Sequence, residues 1–337
     1  PLRQQLARLD RTLGSMEAGR GVEGLEDVLA LDISPHERKL RARAITIRGR
    51  ILTLLGQWQR AEPDLTWAAR EGEALGAPEI EAAALLELGV ARHGRRDLDG
   101  ARRCYEDVLA RRRAFEAPLL EARALGNLGA IAHDRNDGDA AYRYYIEAIA
   151  LAEVAGERRL LGVFLGNLAV LNRERGKLVP SRQYFVRALT ALEGVGDVRL
   201  VAITLGNLGV LELERDKLDD AESQLARARE LLARIGDVRS EALALARHAA
   251  VLALLGRVDD AAKAASLAKR NAGDARIEQL VDLATAFVDL AMGDASVASE
   301  KLARARFRGG EDKALVDVSD DARALAGLLE RKLTANA

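Results

Sequence analysis

Leu125-Gly126-Asn127-Leu128-Gly129 returns as Leu165-Gly166-Asn167-Leu168-Ala169 and again as Leu205-Gly206-Asn207-Leu208-Gly209, 40 residues apart each time. A fixed period of this size marks a repeat array, in which each unit buries its apolar face only against its neighbours. Set in that register, further columns appear. A small residue recurs at Gly49, Gly89, Gly129, Ala169, Gly209 and Ala249. Twelve residues later stand Ala61, Ala101, Ala141, Ser181, Ala221 and Ala261, and seven further on Ala68, Val108, Ala148, Ala188, Ala228 and Ala268. Small residues at these places let two antiparallel helices approach closely. Between the last two columns sits a larger residue, Leu65, Tyr105, Tyr145, Phe185 and Leu225, expected to fill the gap between adjacent hairpins.

The connections agree. Gly56, Gly176 and Gly256, with Asn136 in the same column, stand where a first helix must end, and Gly76, Gly156, Gly196 and Gly236 end the second helices. These residue types tolerate the left-handed backbone that closes a helix. Asp99, Asp139, Asp219 and Asp259 are placed to cap the second helices, and Asp197 and Asp237 to start the next units. A seventh unit is three residues shorter, with Ala286, Ala298 and Ala305 in the small columns. Before the array, Leu2–Leu13 and Val22–Leu31 read as a degenerate helical pair. After it, a polar break over 308–317 precedes Ser319, a cap for a last helix from Asp320 to Leu333. The expected organisation is a cap over 1–35, repeats over 36–307 and a closing helix within 308–337.

Composition narrows the function. Of 337 residues 49% are hydrophobic and 31% charged, too much apolar material for disorder. Lysine and arginine number 51 against 52 acids, so no global field favours nucleic acid or an anionic membrane. Eight arginines and four acids crowd residues 91–113, but without interleaved aromatics to stack bases, and a solvated helix end is the simpler reading. One cysteine, Cys104, excludes an internal disulfide and fits a reducing, cytoplasmic setting. No apolar run reaches membrane-spanning length and no signal peptide is visible. The chain begins Pro1-Leu2-Arg3, as a segment of a longer protein would.

The columns, with leucine four and one residues before the first small position, resemble the tetratricopeptide repeat over about residues 36–307. The 40-residue period exceeds the 34 of the common form. The phrase at Leu125–Gly129, with Arg175-Gly176-Lys177-Leu178, is most similar to the long repeats of kinesin light chains and spindle-orientation adaptors, and to the repeat arms of bacterial STAND-type ATPases and regulators. The resemblance implies an all-α fold, a right-handed α-solenoid of helical hairpins with about seventeen helices. It also implies a protein or peptide partner held in a concave groove, with no cofactor.

Enzyme readings have little to rest on. His36, His93, His133 and His248 complete no metal set with cysteine or paired carboxylates. No phosphate-binding loop and no nucleophile elbow is present. The stronger signal is Asn127, Asn167 and Asn207 on three successive first helices. An amide offers a donor and an acceptor together, which suits peptide main chain. In the resembling families the equivalent asparagines grip peptide backbone. The alternative is that each satisfies neighbouring groups within the array. The column continues as Glu87 and Arg247, which cannot act in that way. Arg123, on the same helix as Asn127, joins the candidate set. Seven residues beyond each asparagine come Asp134, Glu174 and Glu214, followed by an arginine column at Arg135, Arg175 and Arg215. These acids are either an acid–base ladder between units or an acidic groove edge that selects a basic segment. The two functions expected are a binding scaffold and the sensor arm of a larger signalling ATPase or regulator. Weak self-association through the ends is a third.

Overall fold

The computed structural model describes residues 2–17, 37–112, 117–273, 275–307 and 320–336, and these contain sixteen α-helices and no strand. Helix α1 (Leu2–Glu17) runs four residues past its expected end. Hairpins follow: α2 (Arg38–Leu54) with α3 (Trp58–Ala74), α4 (Pro78–Gly94) with α5 (Leu98–Arg111), and α6 (Pro118–Asp134) with α7 (Gly138–Val154). Then come α8 (Arg158–Glu174), α9 (Leu178–Glu193), α10 (Val198–Glu214) with α11 (Leu218–Ile235), α12 (Val238–Leu254) with α13 (Val258–Arg270), and α14 (Ala275–Ala291) with α15 (Ala295–Phe307). Helix α16 (Asp320–Asn336) closes the chain, three residues longer than expected. The expected helix Val22–Leu31, the break over 308–317 and the Ser319 cap lie outside the described residues.

The chain divides into two compact units, Pro1–Leu171 and Asn172–Ala337. Within each, a first helix packs on its own second helix, on the preceding second helix and on the neighbouring first helix. In the second unit α16 packs on α14 and α15 and reaches α10.

The small columns do what their spacing requires. A methyl group built on Gly129 would stand 2.7 Å from the Tyr145 ring, on Gly209 2.6 Å from Leu225 and on Gly49 2.5 Å from Leu65. At Gly89 it would strike Tyr105. The large column therefore seats first against the glycine of its own hairpin, where the sequence suggested the gap between hairpins. The reason is reach: sixteen residues separate each glycine from its partner, one helix and a turn, so the two meet face to face. Leu65, Tyr105, Phe185 and Leu225 are fully buried and Tyr145 nearly so.

In two of the three phrases the first glycine has a different task, whereas a side chain at Gly166 would meet nothing within 4 Å. A side chain at Gly126 would collide with Phe164 of the next first helix, and one at Gly206 would come within 3.0 Å of Arg247 Nη1. Positive φ closes the first helices at Gly56, Asn136, Gly176 and Gly256, and also at Arg96 (65°) and Asp216 (58°), which occupy that column without glycine.

Capping differs from expectation. The carboxylates of Asp97 and Asp137 accept from the Gly100 and Ala140 N–H groups at 2.9 and 3.0 Å. Asp99, Asp139, Asp219 and Asp259 sit two residues later, in the first turn. There they still favour the positive end of the helix dipole. Asp197 and Asp237 cap as expected, at 3.0 Å each.

Two substitutions test this packing. Gly129→Val should lower unfolding free energy by about 1–3 kcal/mol through overpacking against Tyr145. Tyr105→Phe should hold or raise stability, by up to about 1 kcal/mol, because the buried Tyr105 hydroxyl has no hydrogen-bond partner among the described residues. Phe185 already fills the same column. Chemical denaturation of the two variants beside the parent chain measures both.

Candidate functional site

The helical period decides which face each residue of the phrase meets. Leu125, Leu128 and Gly129 turn into the hairpin, and all three are buried. Gly126 is given to the next first helix. Asn127 is left on the remaining face, and it is half-buried, as are Asn167 and Asn207. Leu120, Leu160 and Leu200 share that face two turns earlier, with Val163 and Ile203 one turn before their asparagines, all half-buried. Each first helix thus offers an amide beside partly open aliphatic side chains. None of the three asparagine side chains makes a hydrogen bond to another described residue.

Most charged groups nearby are engaged inside the fold. Arg123 Nη2 donates to Glu87 Oε1 at 2.6 Å. Arg50 Nε lies 3.5 Å from the same oxygen. Glu87, the asparagine-column residue of α4, is 3% exposed. A carboxylate taken so far from water needs such partners, and here two guanidinium groups supply them. Asp134 Oδ2 stands 3.0 Å from His93 Nε2 and 3.7 Å from Arg96. The His93 hydrogen bond is the main cause holding its carboxyl below the ordinary range. Glu214 stands 3.8 Å from Arg173. So Asp134 and Glu214 reach back to a basic group on the preceding first helix. The arginines that follow them in sequence go elsewhere: Arg135 to Asp99 at 2.6 Å and Arg215 to Glu212 at 2.5 Å.

The arginine-rich stretch is largely neutralised in place. Arg92 and Arg95 hold Glu62, Arg111 holds Glu81 and Asp107, and Arg112 lies near Glu121. Cys104 is buried beside Arg92, and burial pushes its thiol up, away from the thiolate a nucleophile requires. No cluster of three or more histidine, cysteine or acidic residues that could hold a metal occurs among the described residues. No described helix is long and apolar enough to cross a membrane.

An unforeseen cluster surrounds His248. It occupies the column of Leu88, Leu128, Leu168 and Leu208 and is 4% exposed. Its Nε2 lies 3.4 Å from Glu222, which also meets Arg257 at 3.3 Å. Its Nδ1 is buried without a partner among the described residues. Burial pushes the imidazole below its ordinary value, Arg229 and Arg257 act in the same direction, and Glu222 opposes.

The comparisons fit this geometry. Residues 120–194 match the family model "Tetratricopeptide repeat". No curated protein sequence matches the chain. Among solved structures, the Rap protein complexed with Competence and Sporulation Factor is similar over 100% of both chains, at 13% identity and TM-score 0.62. BtubC (BKLC) from P. vanneervenii is similar over 64% of this chain and 90% of its own, at 19% identity and TM-score 0.57. The STAND protein with a tetratricopeptide repeat sensor from Pyrococcus horikoshii is similar over 97% of this chain and 55% of its own, at 13% identity and TM-score 0.61. The fold is the all-α repeat fold of tetratricopeptide proteins, and the resemblance read from the columns holds.

His248 gives a stability prediction with a definite sign. A histidine whose folded pKa lies below its unfolded value favours the fold when neutral. Its contribution is complete above the ordinary value of 6.5 and is lost as pH falls below it. His248→Leu should therefore raise the melting temperature, and more so at pH 5 than at pH 8. Thermal melts of both chains at the two pH values check this.

Proposed function

We propose that the chain is a non-catalytic binding scaffold whose first-helix faces take an extended peptide or a helix from a partner protein. The observation that carries this is the asparagine column: three half-exposed amides in one register, without side-chain partners, in a frame that pairs most of its other polar groups. A peptide main chain supplies the alternating donors and acceptors such amides lack. Half-open leucine and valine side chains beside them would receive aliphatic side chains of the same segment. Asn127 and Asn167 offer this in the first unit, and Asn207 in the second. Arg123, held by Glu87, lends the face a fixed positive group. Asp134, Glu174 and Glu214 set the charge at its far end, where a basic residue of the partner would be favoured. A similar fold, that of a Rap protein, has been crystallised in complex with Competence and Sporulation Factor, which supports the reading of a binding scaffold.

A second reading has its own support. The similar STAND protein carries its repeats as a sensor, and this chain covers 55% of it. In that setting the same faces would serve as the regulatory arm of a larger signalling protein, and the binding chemistry would be unchanged.

The test is a displayed peptide library selected against the whole chain. Selected peptides are then measured against the triple variant Asn127→Ala, Asn167→Ala, Asn207→Ala. Each lost hydrogen bond is worth about 1 kcal/mol, so affinity should fall by more than about tenfold while melting is unchanged. Equal affinity for both chains would remove the asparagine column from the function.

A further inference from the structure

The same face does not stay open along the array. Arg123, Asn127 and Ala130 on α6 are half-buried, as are Asn167 and Val170 on α8. On α10 the position equivalent to Ala130 is Val210, with no exposed surface. On α12 the positions equivalent to Asn127 and Ala130 are Arg247 and Ala250, at 4% and 0% exposure. On α14 the seventh-unit register places Leu280, Ala284 and Phe287 at the positions of Arg123, Asn127 and Ala130, and they are 0%, 0% and 1% exposed. Within the second unit the face closes step by step toward the end of the chain.

The element available to close it is α16. It packs on α14 and also reaches α10, the first helices on either side of α12. Neighbouring helices sit about 8–10 Å apart, so those two contacts require a span of roughly 16–20 Å. Seventeen residues of helix provide about 25 Å. Its contacts with α10 and α14 place it against the two first helices that flank α12 in the array. Its buried residues Ala322, Leu325, Ala326 and Leu329 follow the i, i+3, i+4, i+7 spacing of one helical stripe, while Arg323 and Arg331 are exposed.

We infer that α16 is an internal occupant of the first-helix face of the second unit, holding the place of a partner helix with a seam of alanine and leucine. This rests on the reading of the first-helix faces as docking surfaces and adds their regulation. The first unit binds directly. The second binds only a partner that displaces α16, and that partner is an amphipathic helix with small residues and leucines on one stripe. Small residues there bring the two backbones close, and leucines fill the space around them.

The probe is a fluorescent synthetic peptide of residues 320–336, titrated against the full chain and against the full chain carrying Leu325→Asp and Leu329→Asp. The double variant should bind it at least ten times more tightly than the parent. Hydrogen exchange across 280–287 should rise in the variant and fall again when the peptide is added. A peptide bearing the same two substitutions should bind neither chain. Equal binding to both chains, or no binding to a double variant that keeps its helical circular dichroism, would overturn the inference. If the double variant does not fold, Leu329→Ala in the full chain replaces it. A rise in peptide affinity over the parent then supports the inference and no rise overturns it. The readout here is the 320–336 peptide and that of the asparagine column is a library peptide, so failure here is separable from failure of the asparagine column.

Discussion

The whole array depends on one close contact, a bulky side chain of each second helix seated where its first helix has almost no side chain. Tyr145 over Gly129 and Leu225 over Gly209 show the constraint: the axes can approach only because the facing residue ends at its α-carbon. Everything else is fixed relative to that seat. The leucines at 128 and 208 lie one residue before it and are driven into the same hairpin core. The asparagines lie two residues before it, turned about 200° away in a helix of 3.6 residues per turn, and cannot enter that core. Their half-exposure is a consequence of the seat.

This explains why so much of the fold was legible in the sequence. A packing rule repeated every 40 residues leaves a written column even where side chains vary, and Leu65, Tyr105 and Phe185 are interchangeable because each meets a small residue. The turn column was legible for the same reason, although Arg96 and Asp216 adopt the left-handed backbone with no glycine to announce it. The capping aspartates were misplaced by two residues because Asp97 and Asp99 stand in the same short connection, and only the hydrogen bond to Gly100 N–H separates cap from first turn.

The electrostatic frame was less legible. The columns suggested an acid–base ladder between units, and the pairs do cross repeats, but with partners the columns did not name. Glu87 meets Arg123 at a separation of 36 residues, and His93 meets Asp134 at 41. These are the repeat length displaced by one helical turn or by one residue, which is where equivalent faces of neighbouring first helices touch. The signal was present in the spacing, but many acid–base pairs share such separations, and burial alone identifies the ones used. At 3% exposure Glu87 cannot be left without cations, and Arg50 and Arg123 are fixed by that need.

The residue types in the asparagine column follow what lies above them. Where the face is half open the column holds an amide, at 127, 167 and 207. At 247 it holds an arginine laid against Gly206, whose missing side chain makes room for the guanidinium. At 284 it holds alanine, with no exposed surface and a place in the same core cluster as Leu325 and Leu329. An amide closed under an apolar helix would lose its water without gaining partners, at a cost of about 1–3 kcal/mol. Alanine has nothing to lose there. The change from asparagine to alanine therefore accompanies a change from a half-open position to a closed one. An opening face needs groups that water can satisfy in the meantime, and a closed one needs groups that fit.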